Sequence, residues 1–119
     1  MTDFNFAILY VTDVAKSQAF YTKLLGRPPI EASPGFAMFK AAPGMMLGLW
    51  KADEVEPKAK PGGSELCIPA PQAEIDGMAV AWAEKGIEIA LEPKTLDFGY
   101  TFVGLDPDGH RVRVFAPAG

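Results

Sequence analysis

The order of elements expected along this chain occurs twice, and that repetition constrains its fold more than any single residue does. Residues 4 to 11, Phe-Asn-Phe-Ala-Ile-Leu-Tyr-Val, are rich in aromatic and branched side chains and read as a strand buried on both faces. Thr12 or Asp13 caps a helix that places Val14, Ser17, Tyr21, Leu24 and Leu25 on one face with Phe20 beside it, until Gly26, Pro28 and Pro29 end it. Three extended segments follow, about 29 to 33, 36 to 41 and 45 to 51, divided by Pro34-Gly35 and Pro43-Gly44. Residues 52 to 63 are polar, carry Pro57, Pro61, Gly62 and Gly63, and form a connector. The pattern then restarts with a strand at 65 to 69. Ile75, Met78, Ala79, Trp82 and Ala83 step at helical spacing up to Gly86, and strands follow near 87 to 92, 100 to 105 and 111 to 115. Gly77 and the weak cap near Gln72 make the start of this second helix its least defined boundary.

A single βαβββ module leaves one sheet face uncovered, so a repeat of two buries what one cannot. The chain of 119 residues suits one domain, with module one at about 4–51, the connector at 52–63 and module two at about 64–116. A formal net charge of −4 gives no positive field for phosphate backbones, so no nucleic-acid partner is expected. No apolar stretch reaches the roughly 20 residues of a membrane helix. Met1-Thr2-Asp3-Phe4 lacks the basic-then-apolar layout of a signal peptide, and a cytoplasmic location is expected. Cys67, the one cysteine, excludes an internal disulfide framework and a Cys-rich zinc site. His110, the one histidine, leaves no Ser-His-Asp constellation and no histidine pair for zinc; it follows a turn and is expected to be exposed.

Three phrases carry a family resemblance: the strand running into Val11-Thr12-Asp13, the helix from Ser17 through Phe20-Tyr21-Thr22-Lys23-Leu24-Leu25-Gly26, and Asp106-Pro107-Asp108-Gly109-His110-Arg111-Val112-Arg113-Val114. Spanning nearly the whole chain, they resemble the superfamily that groups glyoxalase I, bleomycin-resistance proteins, fosfomycin-modifying enzymes and extradiol dioxygenases, the vicinal oxygen chelate fold. The resemblance implies an α+β fold in which eight strands curl into a mixed sheet around a central cleft, with the helices outside. Strand alternation then aims Phe6, Ile8 and Tyr10, Met46, Gly48 and Trp50, Glu65 and Cys67, and Arg111, Arg113 and Phe115 toward that cleft.

Metal-dependent members of the superfamily supply His, Glu or Gln from four cleft-facing places, which here correspond to Phe6, Gly48, Glu65 and Arg113. A guanidinium has no lone pair to donate and repels a divalent ion. The expectation is therefore a protein without metal or other cofactor. Glu65 and Arg113 are expected to approach each other, either to neutralise two half-buried charges or to contact a ligand, and Arg113 offers a donor fork to a carboxylate or phenolate. Of the many strand aromatics most serve as core, whereas Phe6 and Trp50 are aimed at the cleft; Trp82 belongs to a helix stripe and to the core. Leu96-Asp97-Phe98-Gly99-Tyr100 reads either as a rim over the cleft or as an ordinary turn. Cys67 lacks a basic partner that would make it a nucleophile. Asp106 and Asp108 are accounted for by turn geometry, and Lys58 and Lys60 by solvation of the connector.

These residues point to a binder of a small aromatic or amphipathic compound, of drug-sequestering, antibiotic-resistance type. Phe6, Trp50, Glu65 and Arg113 form its centre, with Tyr10, Met46 and Phe98 around them. The resemblance also implies a homodimer. A rival reading is a lyase or isomerase with Glu65 as general base, or with a metal held by other ligands.

Overall fold

Asp13 sets the first turn of the chain's first helix. The computed structural model describes residues 3–56 and 59–117, which leaves Pro57 and Lys58 of the connector and Met1 and Thr2 outside the described residues. Strand β1 (Phe6–Val11) runs into helix α1 (Val14–Leu25), and the Asp13 carboxylate accepts the Lys16 amide at 3.1 Å, satisfying one of the donors every helix start leaves open. Gly26 closes the helix at φ 72°, a left-handed conformation that costs glycine nothing, and its amide donates to the Thr22 carbonyl. Strands β2 (Glu31–Ser33), β3 (Phe36–Ala42) and β4 (Met45–Lys51) complete the first module. Its sheet has the order β1-β4-β3-β2, with β1 parallel to β4 and the other pairs antiparallel.

Alternation along these strands buries Leu9, Val11, Ala37, Phe39, Leu47 and Leu49 on the face that α1 covers with Val14, Phe20 and Tyr21. The other face differs from the expectation that β1 is buried on both sides. Phe6, Ile8 and Tyr10 are 39 %, 40 % and 36 % exposed. The apolar run in the sequence misleads because α1 packs on the opposite face of the sheet, the one that holds Leu9 and Val11. A short 3-10 turn, Ala52–Glu54, begins the connector.

The second module repeats the order as β5 (Glu65–Pro69), α2 (Gln72–Glu84), β6 (Glu88–Leu96), β7 (Gly99–Leu105) and β8 (Arg111–Pro117), with sheet order β5-β8-β7-β6. Helix α2 starts after Pro71 without a side-chain cap, and it packs by Ile75, Ala79 and Trp82. Trp82 meets Phe102 edge-on at 4.9 Å. The ring fits because residue 104 is glycine: a Cβ there would lie 2.8 Å from the indole. β6 runs four residues past the expected end, through Pro93 to Leu96. As an edge strand with register shifts at Leu91, it accommodates a residue that cannot donate. The chain thus has the expected α+β architecture of two βαβββ modules, in two four-stranded mixed sheets. It divides into compact units Met1–Gly62 and Gly63–Gly119.

His110 corrects a second expectation. It is 1 % exposed, not solvated. Asp106 Oδ1 accepts the backbone amides of Asp108 and His110, both at 2.9 Å, while Oδ2 lies 2.7 Å from the His110 ring Nδ1. An ionised carboxylate only accepts, so the shared proton belongs to Nδ1. The buried aspartate satisfies the polar edge of the ring and lets it sit beneath the β7–β8 turn, from which Arg111 and Arg113 leave.

Candidate functional site

In the first module the register of β1 and β4 pairs Phe6 with Met46, Ile8 with Gly48 and Tyr10 with Trp50, so all four expected ligand-facing residues of this module share the open face. Glycine at 48 makes that face ring-lined. A Cβ there would lie 2.9 Å from Phe6 Cε1 and 3.1 Å from two atoms of the Phe36 ring, closer than side-chain carbons approach. Phe36, opposite Trp50 on β3, meets it edge-on at 6.4 Å. The result is a surface of phenyl, indole and phenol rings, with exposed Lys40 opposite Met46 at its edge.

The second module places Glu65, Arg111 and Arg113 on the sheet face opposite Val112 and Val114. Arg113 Nε donates to Glu65 Oε2 at 3.1 Å and Nη2 to Glu65 Oε1 at 3.4 Å, so the expected approach of these two residues is present as a two-pronged pair. Nη1 donates to Thr101 Oγ1 at 3.3 Å, and Thr101 in turn donates to the Val114 carbonyl at 2.8 Å. The Phe98 ring lies under the guanidinium, 5.4 Å from Cζ, within reach of a cation–π attraction. Phe98 occupies the two-residue turn between β6 and β7 and is exposed, whereas Tyr100 turns toward α2 and donates to Asp76 at 2.7 Å. That bond to a carboxylate raises the Tyr100 phenol above its ordinary pKa.

Cys67, next to this cluster, donates its thiol to Glu65 Oε2 at 3.8 Å. Partial burial of the sulfur first, and the neighbouring Glu65 charge second, push its pKa up against the opposing pull of Arg113. A thiol held protonated is a poor nucleophile. Glu65, the candidate base, has its oxygens engaged by Arg113 and Cys67.

The donor chemistry does not fit a divalent metal. Among the described residues no group of three or more His, Cys, Asp or Glu converges. The strand position at Gly48 is roofed by two phenyl rings, and the Glu65 carboxylate faces a guanidinium.

The family model for the Glyoxalase/Bleomycin resistance protein/Dioxygenase superfamily matches residues 3–114. The chain belongs to this superfamily. The chain is 33 % identical over 115 residues to the phenazine antibiotic resistance protein EhpR of Enterobacter agglomerans, covering 92 % of this chain and 88 % of that protein. Among solved structures it is similar to protein ATC0852 of Agrobacterium tumefaciens, at 44 % identity, TM-score 0.87 and full coverage of both chains. A superfamily member from Nocardioides matches with TM-score 0.83 and 26 % identity, over 98 % of this chain and 84 % of that one. No helix among the described residues of this superfamily member is long and apolar enough to cross a membrane.

Sequence reasoning missed two residues of these clusters. Phe36 was legible in principle, because a hairpin turning at Pro43-Gly44 brings it opposite Trp50. Thr101 carries no such signal, since a threonine that supports an arginine looks like any strand threonine.

Proposed function

We propose that this protein is a metal-independent binder of planar aromatic compounds, acting as a sequestering resistance factor rather than as an enzyme. The observation that carries the reading is the row Phe6, Ile8 and Tyr10, three large apolar side chains left open on a sheet whose other face is packed. Covering such surface is favourable by roughly 25 cal/mol per Å2, and flat ring systems suit a ring-lined sheet. Phe6, Tyr10, Met46 and Trp50 are assigned to the ring system of the ligand. Glu65, Phe98 and Arg113 are assigned to polar groups of a ligand on the second module's own sheet face. Each role rests on geometry internal to its own module.

Similarity to a phenazine antibiotic resistance protein supports this ligand class, a phenazine being a flat tricyclic aromatic. The mismatch between the donor set and a divalent ion, together with the protonated thiol, supports binding without chemistry. The reading takes the two modules as one domain of a cytoplasmic homodimer. Its test is tryptophan quenching in Trp82→Phe, which leaves Trp50 as the one indole. Phenazine is expected to quench Trp50 saturably and to be recovered unchanged, and Phe6→Ala is expected to weaken binding roughly three- to tenfold. Linear, unsaturable quenching by every planar compound tried, or conversion of the added compound, would overturn the proposal.

A further inference from the structure

We propose that Glu65 is a built-in acid that occupies Arg113, so that the site selects aromatic compounds carrying a neutral hydrogen-bond donor, a phenol or an N–H, over the corresponding carboxylates. The inference rests on the binding role above and names the ligand class of the same site. Arg113 looks in sequence like a receptor for anions, but each nitrogen of its guanidinium already donates a hydrogen bond. Glu65 takes Nε and Nη2, Thr101 takes Nη1, and Phe98 takes one face. Exposure runs the same way: the Arg113 side chain is 14 % exposed and that of Glu65 is 36 %. The group an incoming molecule meets is the carboxylate.

Glu65 retains acceptor capacity for that encounter. Each carboxylate oxygen offers two acceptor directions. Oε2 receives Arg113 Nε and the Cys67 thiol, whereas Oε1 receives Nη2 in the longer bond of 3.4 Å. Glu65 also lines an open hollow of about 460 Å3 with Gly63, Ser64, Gly109 and Arg111, so space for a substituent lies beside it. A phenol or N–H entering there makes a charge-assisted bond. A carboxylate entering there must lie beside a like charge or expel Glu65 from the fork and leave that charge unpaired. Arg111 on the same hollow is exposed, and its pull on an anion is screened by solvent.

Calorimetric titration at neutral pH with three probes tests the inference: phenazine, a hydroxyphenazine and a phenazine carboxylate. Wild type is expected to bind the hydroxy compound about tenfold more tightly than the carboxylate. Glu65→Gln keeps the shape and removes the charge. It is expected to raise carboxylate affinity about tenfold and to lower hydroxy affinity. Adding Arg113→Gln to that variant is expected to abolish the carboxylate gain, which ties the gain to the uncovered guanidinium. A wild type that prefers the carboxylate, or a Glu65→Gln variant with an unchanged ratio, overturns the role of Glu65 while leaving ring binding intact. Failure of unsubstituted phenazine to bind overturns both.

Discussion

Replacing His110 with alanine removes the ring from beneath the β7–β8 turn and leaves the Asp106 carboxylate buried with its two backbone donors. A hydrogen bond to a charged group contributes about 1.5–3 kcal/mol, and deleting a side chain as buried as this one leaves a cavity that adds at least about 1 kcal/mol. The Asp108 and His110 amides still satisfy Oδ1. The lost bond and the cavity together give an expected loss of about 3 kcal/mol. With an unfolding entropy of about 2.1 cal/mol/K per residue, that corresponds to a fall in Tm of at least about 10 °C. Urea unfolding followed by circular dichroism measures the change, with exposed Lys40→Ala as a reference within about 0.5 kcal/mol of wild type. The same variant is expected to bind ligand more weakly, because the turn launches the strand that carries Arg113. A His110→Ala protein within about 1 kcal/mol of wild type would refute the reading of a buried, bonded imidazole.

Two glycines of the second module give opposite expectations. Gly104→Ala drives a methyl to within 2.8 Å of the buried Trp82 ring and 3.1 Å of Ile87, and overpacking of this kind destabilises by about 1–3 kcal/mol in denaturant titration. Gly77→Ala meets nothing within 4 Å on α2 and is expected to stabilise by about 0.5–1 kcal/mol in the same assay. Because burial and Glu65 raise the Cys67 pKa, its thiolate fraction at pH 8 is low, and it should alkylate with iodoacetamide more slowly than a free cysteine. Glu65→Gln removes one raising influence and should speed that reaction; an unchanged rate would mean that the carboxylate does not act on the thiol.

The succession of strands and helices was legible because punctuation and period agree along this chain: Asp13 and Gly26 bracket one helix, and Pro43-Gly44 and Asp106-Pro107-Asp108-Gly109 mark two hairpins. What escaped depends on neighbours that no local pattern encodes. The apolar run of β1 looks the same whether one face or two are covered, so the exposure of Phe6, Ile8 and Tyr10 became visible only with the packing of α1 on the opposite face. His110 was misread because a polar residue after a turn is commonly solvated; Asp106 four residues earlier is the partner that reverses this. The pairing of Glu65 with Arg113 was expected from the family resemblance, but the closure of the arginine fork by Thr101 and Phe98 was not. Those two residues come from β7 and from the turn before it, and only the completed sheet brings them to the guanidinium.

Calorimetric titration of phenazine into protein stripped with EDTA, repeated after addition of Zn2+, Ni2+ or Mn2+, bears most directly on whether the protein binds its ligand without a metal. Saturable binding with the same affinity in every case is the predicted result. Binding that appears only once a metal is restored, or a stoichiometric ion retained through chelation, would contradict it.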